Sequence, residues 1–309
     1  MSSLRKEASQ LSFAYSACYL IGMDILLFGK DGQVARSLQE EAGSVAVTAL
    51  GSAECNLLTP GAGATAIAGR SPDVIINAAA YTAVDKAEEE RDAAQRLNAD
   101  APVELARAAK DAGAVFIHIS TDYVFNGADE HAYSEQDETA PLNHYGDSKR
   151  AGEEGILDLN SEAVILRTSW VFSEFGANFV KTMLRLGAER DQLSIVDDQI
   201  GGPTPARDIA RTLLTIAGKK HRGAPGDGVY HFQGRPSVSW AAFAEKIFEI
   251  AGLKTGIEKI STAAYPTPAS RPLNTVLDCA RIERDFGLAA PDWRIGLRAV
   301  IAALTKTDN

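Results

Sequence analysis

The chain has 309 residues, 45% hydrophobic and 23% charged, with a formal net charge of -10 and a sequence pI near 5.1. That composition suits a globular protein with one large core or two modest ones, and it excludes fibrous and low-complexity classes. The acidic balance argues against nucleic acid as a partner, and no apolar run approaches the roughly 18–20 residues that a membrane span needs.

Residues 1 to 22 set Arg5 and Lys6 ahead of a mildly apolar stretch broken by serines and tyrosines. They read as a disordered extension or an upstream start rather than an export signal. From Met23 the chain alternates short apolar runs with helical patterns, the sign of a parallel sheet wound by helices. Strands are expected at Asp24 to Phe28, Val45 to Ala49, Asp73 to Asn77, Ala114 to Ile119 and Ala163 to Arg167, with helices near 32–42, 62–70, 85–111 and 145–159. Runs apolar on both faces fit strands buried between two helix layers. The fold class is therefore α/β, a Rossmann-type doubly wound parallel sheet.

After about residue 176 the rhythm changes. A helix from Asn178 to Arg190, a strand at Leu193 to Val196 and the turn Gly201 to Pro205 lead to helices at 206–218, 239–252 and 293–305, with short strands near 228–233 and 257–261. Three prolines within 264–272 exclude a regular helix there. This organisation predicts a dinucleotide-binding domain over 23–176, to which 204–222 returns, and a smaller C-terminal α/β substrate lobe over 177–203 and 223–309.

Cys18, Cys55 and Cys279 lie far apart, and the five histidines lack metal-ligand spacing, so neither a disulfide framework nor a metal site is expected and a reducing, cytoplasmic setting is the simplest. His118, inside an apolar run, reads as a satisfied strand residue.

Gly29-x-x-Gly32-x-x-Ala35 follows the first strand and opens a helix. There a glycine-rich turn lets backbone N–H groups approach a pyrophosphate at a helix N-terminus. After the second strand the acid that would hold the adenosine ribose is missing at Gly51, which removes an obstacle to a 2′-phosphate; NADPH is expected, with NADH accepted. Asn77-Ala-Ala-Ala80-Tyr81-Thr82 ends the third strand where small residues allow close approach to a cofactor, and Asn98 either bridges backbone groups near the site or interrupts a surface helix. Ser120-Thr121-Asp122 ends the fourth strand, at the sheet edge where ligands bind. Tyr145-Gly-Asp-Ser-Lys149 puts a phenol and an ammonium on one helix face, where the cation would lower the tyrosine pKa. Together these suit reduction of a ketone, with Thr121, Tyr145 and Lys149 as the catalytic group.

The ordered phrases Ile25 to Lys30, Asn77 to Glu88, Ser120 to Phe125, Pro141 to Asn143, Arg167 to Val171, Asn178 to Arg185, Asp198-Gln199 and Ala264 to Pro272 make the chain resemble the dTDP-4-dehydrorhamnose reductase family, extended short-chain dehydrogenase/reductases. The resemblance implies reduction of dTDP-6-deoxy-L-lyxo-4-hexulose to dTDP-L-rhamnose, a dTDP-sugar partner, and in some relatives a homodimer with Mg2+ at the subunit contact. It implies cofactor contacts at Gly29, Gly32, Gln33, Val34, Asn56, Leu57, Ala80, Tyr81, Thr82, Ile119, Tyr145 and Lys149. Thr121, Asp122 and Trp170 would meet the sugar, with Arg271 and Lys181 as candidates for its phosphates. Asn56 stands where the family tends to have aspartate. Rival readings are another nucleotide-sugar reductase, dehydratase or epimerase, and a non-catalytic, NADP-binding regulatory subunit similar to that of methionine adenosyltransferase.

Overall fold

The computed structural model describes residues 22–306. The expectation for residues 1–22 falls, but for Gly22, outside them. Strands β1 (Asp24–Phe28), β2 (Ala46–Leu50), β3 (Val74–Asn77), β4 (Val115–Thr121) and β5 (Val164–Thr168) lie within a residue or two of the positions expected from their apolar runs. A pair of strands in the lobe follows, β6 (Gln192–Val196) with β8 (Gly256–Ile260), and between them in the chain β7 (Gly228–His231). The main sheet has six strands, all parallel, in the order β2-β1-β3-β4-β5-β7.

Successive residues of each strand point to opposite faces, and both faces are apolar. Ile25, Leu27, Ile76, Ile117 and Leu166 pack under α1 (Gln33–Glu41) and the later α6 (Ala206–His221). Leu26, Phe28, Ile75, Phe116 and Ile165 pack under α2 (Ala62–Ala68), α3 (Ala101–Ala112) and α4 (His144–Leu159). The lobe is built on a separate core of Val180, Met183, Phe243, Phe248, Trp293 and Leu297, drawn from α5 (Phe179–Glu189), α7 (Trp240–Ala251) and α9 (Trp293–Lys306), with Phe172 of the short strand Val171–Phe172 packed among them.

Two expectations need correction. Residues 223–309 do not all belong to the lobe. Strand β7 pairs with β5 in the main sheet, Tyr230 opposite Leu166, and α8 (Ala280–Phe286) sets Phe286 edge-on to the Tyr230 ring at 5.0 Å. The sheet edge at β5 would otherwise be open, and Tyr230 finds its apolar cover there rather than in the lobe. The single helix expected over 85–111 is also broken: a 3-10 turn at Lys86–Glu88, a helical turn at Arg91–Gln95, a π segment at Arg96–Asp100, then α3. The wider π turn rotates Asn98 out of the regular helical sequence of faces and into the protein.

Candidate active site

The strand order reverses between β1 and β3, and in open parallel sheets ligands bind in the crevice beyond the carboxyl ends at such a point. A crevice of about 290 Å³ lies there, lined by Phe28, Gly29, Gly32, Gly51, Asn56, Leu57 and Ala78 to Ala80. Gly29 is required in the turn: its φ is +94°, and a Cβ would come within 2.6 Å of the Ala79 nitrogen. The backbone therefore approaches β3 more closely than any side chain permits, which leaves the space above it for an elongated ligand. This crevice and its small residues fit a dinucleotide. Lys30 meets Glu54 at 2.7 Å, and Glu54 also accepts from the Gly51 amide at 3.0 Å. The pair stands at the position the sequence left without a charge, and Glu54 was overlooked because it lies four residues beyond the strand end.

Not every expected cofactor residue turns its side chain to the crevice. Gln33 is taken up by Val171, Ser173 and Asn178. Val34 packs against the core. Asn56 accepts from the Leu58 amide at 3.1 Å and remains in the lining. Thr82 is exposed, and the Tyr81 hydroxyl donates to Glu90 at 2.8 Å. Asn98, fully buried, accepts from Tyr81 N and donates to Tyr81 O and Ser148 Oγ. The bridging alternative for Asn98 is thus the one observed, and it ties the loop after β3 to the helix bearing Tyr145.

That helix, α4, starts at Asn143, whose side chain accepts from the Gly146 amide. It lies unusually close to its neighbours: a Cβ on Gly146 would fall 2.2 Å from Tyr123 O, and one on Gly152 2.1 Å from Asn98 O. The close seating buries Tyr145 and Lys149 beside the end of β4. Thr121 donates to Asp122 Oδ1 at 2.9 Å, and the Tyr145 ring stands edge-on to Tyr123 at 5.8 Å.

Burial pushes the Tyr145 phenol up to about 12; a hydrogen bond with Thr121 draws it down and the charge of Asp122 reinforces the rise. The expectation that Lys149 lowers this pKa is not met here. The ammonium position of Lys149 is turned to Ile119 O at 2.7 Å and to His118 Nε2 at 3.0 Å, and burial brings the lysine down to about 8. A phenol held protonated is nevertheless the form a proton donor needs. His118 is buried and hydrogen-bonded, as its strand context suggested, but its partner is the conspicuous lysine, which no local pattern indicated.

Burial raises Asp122 to about 7, opposed by Thr275 and Thr121. Thr275 lies near enough to ease the charge but outside hydrogen-bonding geometry, since Oδ2 has no partner. The folded protein thus holds this proton more tightly than the unfolded chain, whose value is 3.8. Asp122 therefore destabilises the fold above pH 7, and that penalty fades as pH falls toward 4. Asp122→Asn should gain about 1–2 kcal/mol at pH 8 and little at pH 4.5, only part of the shift being recovered because the amide is still buried; urea melts at the two pH values check this, and an equal gain at both would refute it.

Between the sheet edge and the lobe lies a cleft of about 880 Å³, lined among others by Tyr123, Phe179, Met183, Trp240, Tyr265 and Arg271. Trp170 does not line it. Its backbone is left-handed, φ +44°, and its ring stacks on Trp240 at 3.5 Å, so Trp240, which the sequence did not single out, is the indole that faces the cleft. Arg271 lines the cleft but is already held by both oxygens of Asp85, at 2.7 and 2.9 Å, and by Ala269 O. Lys181 donates to Glu174 O at 3.2 Å. Among the described residues no group of three or more His, Cys, Asp or Glu could hold a metal, and no helix is long and apolar enough to cross a membrane.

A glycine-lined crevice at the switch point, buried Thr121, Tyr145 and Lys149 near the end of β4 and a second cleft under a lobe are the arrangement expected of a nicotinamide-dependent oxidoreductase of the short-chain dehydrogenase/reductase class. The family model described as RmlD substrate binding domain matches residues 23–306. The chain belongs to that family. It is 43% identical over 289 residues to a dTDP-4-dehydrorhamnose reductase of Sinorhizobium fredii, covering 91% of this chain and 98% of that one. Among solved structures it is similar to a dTDP-4-dehydrorhamnose reductase of Clostridium acetobutylicum, with a TM-score of 0.87 and 36% identity over 92% of this chain and 100% of that one. Similar too is one of Bacillus anthracis in complex with NADP, at 0.84 and 35% over 91% and 99%.

Proposed function

We propose that the protein reduces the 4-keto group of dTDP-6-deoxy-L-lyxo-4-hexulose to give dTDP-L-rhamnose, using NADPH and accepting NADH. The observation that carries this reading is the Thr121-Tyr145 pair, buried at the end of β4, where the Tyr145 ring stands against Tyr123 of the lobe cleft. The likeness to named reductases over nearly the whole chain supports the substrate.

The reduced nicotinamide, when bound, supplies a hydride to C4. Tyr145 gives its proton to the alkoxide oxygen that develops there, and Thr121 hydrogen-bonds the same oxygen. The unpartnered Oδ2 of Asp122 accepts from a sugar hydroxyl. Lys149 holds the nicotinamide ribose, and Trp170 backs Trp240 against the sugar nucleotide. Lys30 is the cation nearest a 2′-phosphate, but Glu54 already claims it, which leaves room for NADH as well.

The test is direct. The 4-keto sugar nucleotide is supplied with NADPH and NADH separately while absorbance of the reduced nicotinamide is followed. Loss of absorbance with either, and a rhamnosyl product, is expected. No oxidation with either, in a protein that still binds NADP, would overturn this reading in favour of the regulatory-subunit one.

A further inference from the structure

Lys149 sits at the end of a buried chain that begins on the neighbouring strand. The Asn77 carbonyl Oδ1 accepts from the Ala79 amide at 3.1 Å. A backbone N–H cannot be turned round, so it fixes the Asn77 side chain with its NH2 toward His118, where Nδ2 lies 3.0 Å from Nδ1. That ring nitrogen must therefore accept. In a neutral imidazole with Nδ1 accepting, the proton is on Nε2, and Nε2 lies 3.0 Å from Lys149 Nζ. An ammonium has no lone pair and cannot accept from it. Any arrangement with a charged lysine sets two donors against each other, at Lys149, at Asn77 or at Ala79. A neutral amine satisfies every contact: it accepts from Nε2–H and donates to Ile119 O at 2.7 Å.

We infer that Asn77 and His118 are positioning residues that favour the uncharged amine of Lys149 in the cofactor-free enzyme, so that wherever the free lysine is deprotonated NADPH binding is accompanied by proton uptake on it. The inference rests on the proposed role of Lys149 at the nicotinamide ribose. On binding, the lysine leaves His118 for the ribose hydroxyls and takes its third proton from solvent; no other bond is made or broken. The groups that bear on it are few. Glu153, one turn along α4, favours the charged form but is already bridged to Arg167 of β5. Tyr145 and Asp122 act on each other at the sheet edge. His118 is kept neutral by burial, well below its ordinary value. Lys149, at about 8 when free, is thus poised to titrate in the working range.

Two measurements decide it. The first uses the cofactor-free protein at pH 9, above the value of about 8 for the free lysine: the 15N shifts of the His118 ring should show a neutral imidazole protonated on Nε2, and protonation on Nδ1 would overturn the inference. The second is calorimetric titration with NADPH in buffers of different ionisation enthalpy. The wild type should take up a proton increasingly from pH 7 to 9, and its affinity should fall about tenfold over that range. In Asn77→Asp the carboxylate still accepts from Ala79 but now also from Nδ1–H, so Nε2 becomes an acceptor and the free lysine is charged. Proton uptake and the pH dependence should both vanish. Binding without proton uptake in the wild type, or uptake undiminished in Asn77→Asp with the fold intact by circular dichroism, would overturn it. Failure of NADPH to bind at all would instead sink the cofactor reading, and the ring measurement, made without cofactor, still decides the state of the chain.

Discussion

Phenylalanine in place of Tyr145 should lower kcat by about 10²–10⁴-fold, the usual contribution of a positioned proton donor, with KM for the sugar nucleotide little changed. The phenol lies within hydrogen-bonding reach of Thr121, and its burial keeps it protonated up to about 12. Without it, the alkoxide formed at C4 would have to take its proton from water that the close seating of α4 keeps out. The ring itself remains, edge-on to Tyr123, so folding should be unaffected. Single-turnover oxidation of NADPH, monitored beside a thermal melt, checks this. Near-native turnover in a folded variant would show that the proton comes from elsewhere and that the arrangement at the end of β4 has another purpose.

The second large effect concerns stability. Glu153→Ala should cost about 3–5 kcal/mol of unfolding free energy, because it leaves Arg167 charged, buried and unpaired. Both side chains are about nineteen-twentieths hidden, at 4% and 5% exposure, and the guanidinium meets the carboxylate through Nε at 2.9 and 3.1 Å and Nη2 at 2.5 Å. Among the described residues the ion pairs of Arg167 are with Glu153 alone. His231 Nε2 lies 3.3 Å away, but burial and the arginine bring that histidine down to about 3, so it stays neutral, and the Phe125 ring is 5.1 Å off. Because Glu153 is on α4 and Arg167 on β5, the pair fixes the catalytic helix to the sheet. Urea unfolding measures the loss. A double variant, Glu153→Ala with Arg167→Met, should recover most of it by removing the stranded charge; a double variant as unstable as the single one would show that the cost is a cavity and not a charge.

Much of the fold was legible because parallel strands apolar on both faces and amphipathic helices write their periods plainly in the chain. Asp24–Phe28 and the helix capped by Asn178 are direct readings of that kind. Strand β7 was misplaced because Gly228–His231 is too short to carry a pattern, and its place in the sheet is decided by what Tyr230 can pack against. The site was legible in its residues and less so in their directions. Thr121 and Tyr145 lie side by side at the end of β4, but spacing along one helix could not tell that Lys149 Nζ turns to His118, which comes from a strand. Asn98 is inward only because the chain takes a π turn, and Trp240 faces the cleft only because Trp170 stacks behind it.

The Gln33 side chain reaches from the glycine turn to the entrance of the lobe. It donates to Val171 O at 3.3 Å and accepts from Ser173 Oγ at 2.8 Å and Asn178 Nδ2 at 2.9 Å, and Asn178 is the cap of α5. Mechanically this is a bolt: three bonds join the floor of one ligand site to the wall of the next across some 140 residues of chain. The opposite wall is fastened differently, by the ion pair of Arg271 with Asp85, a carboxylate 43% exposed. The cleft thus has one wall tied by hydrogen bonds to the glycine turn and the other tied by an ion pair to the segment of residues 262–272.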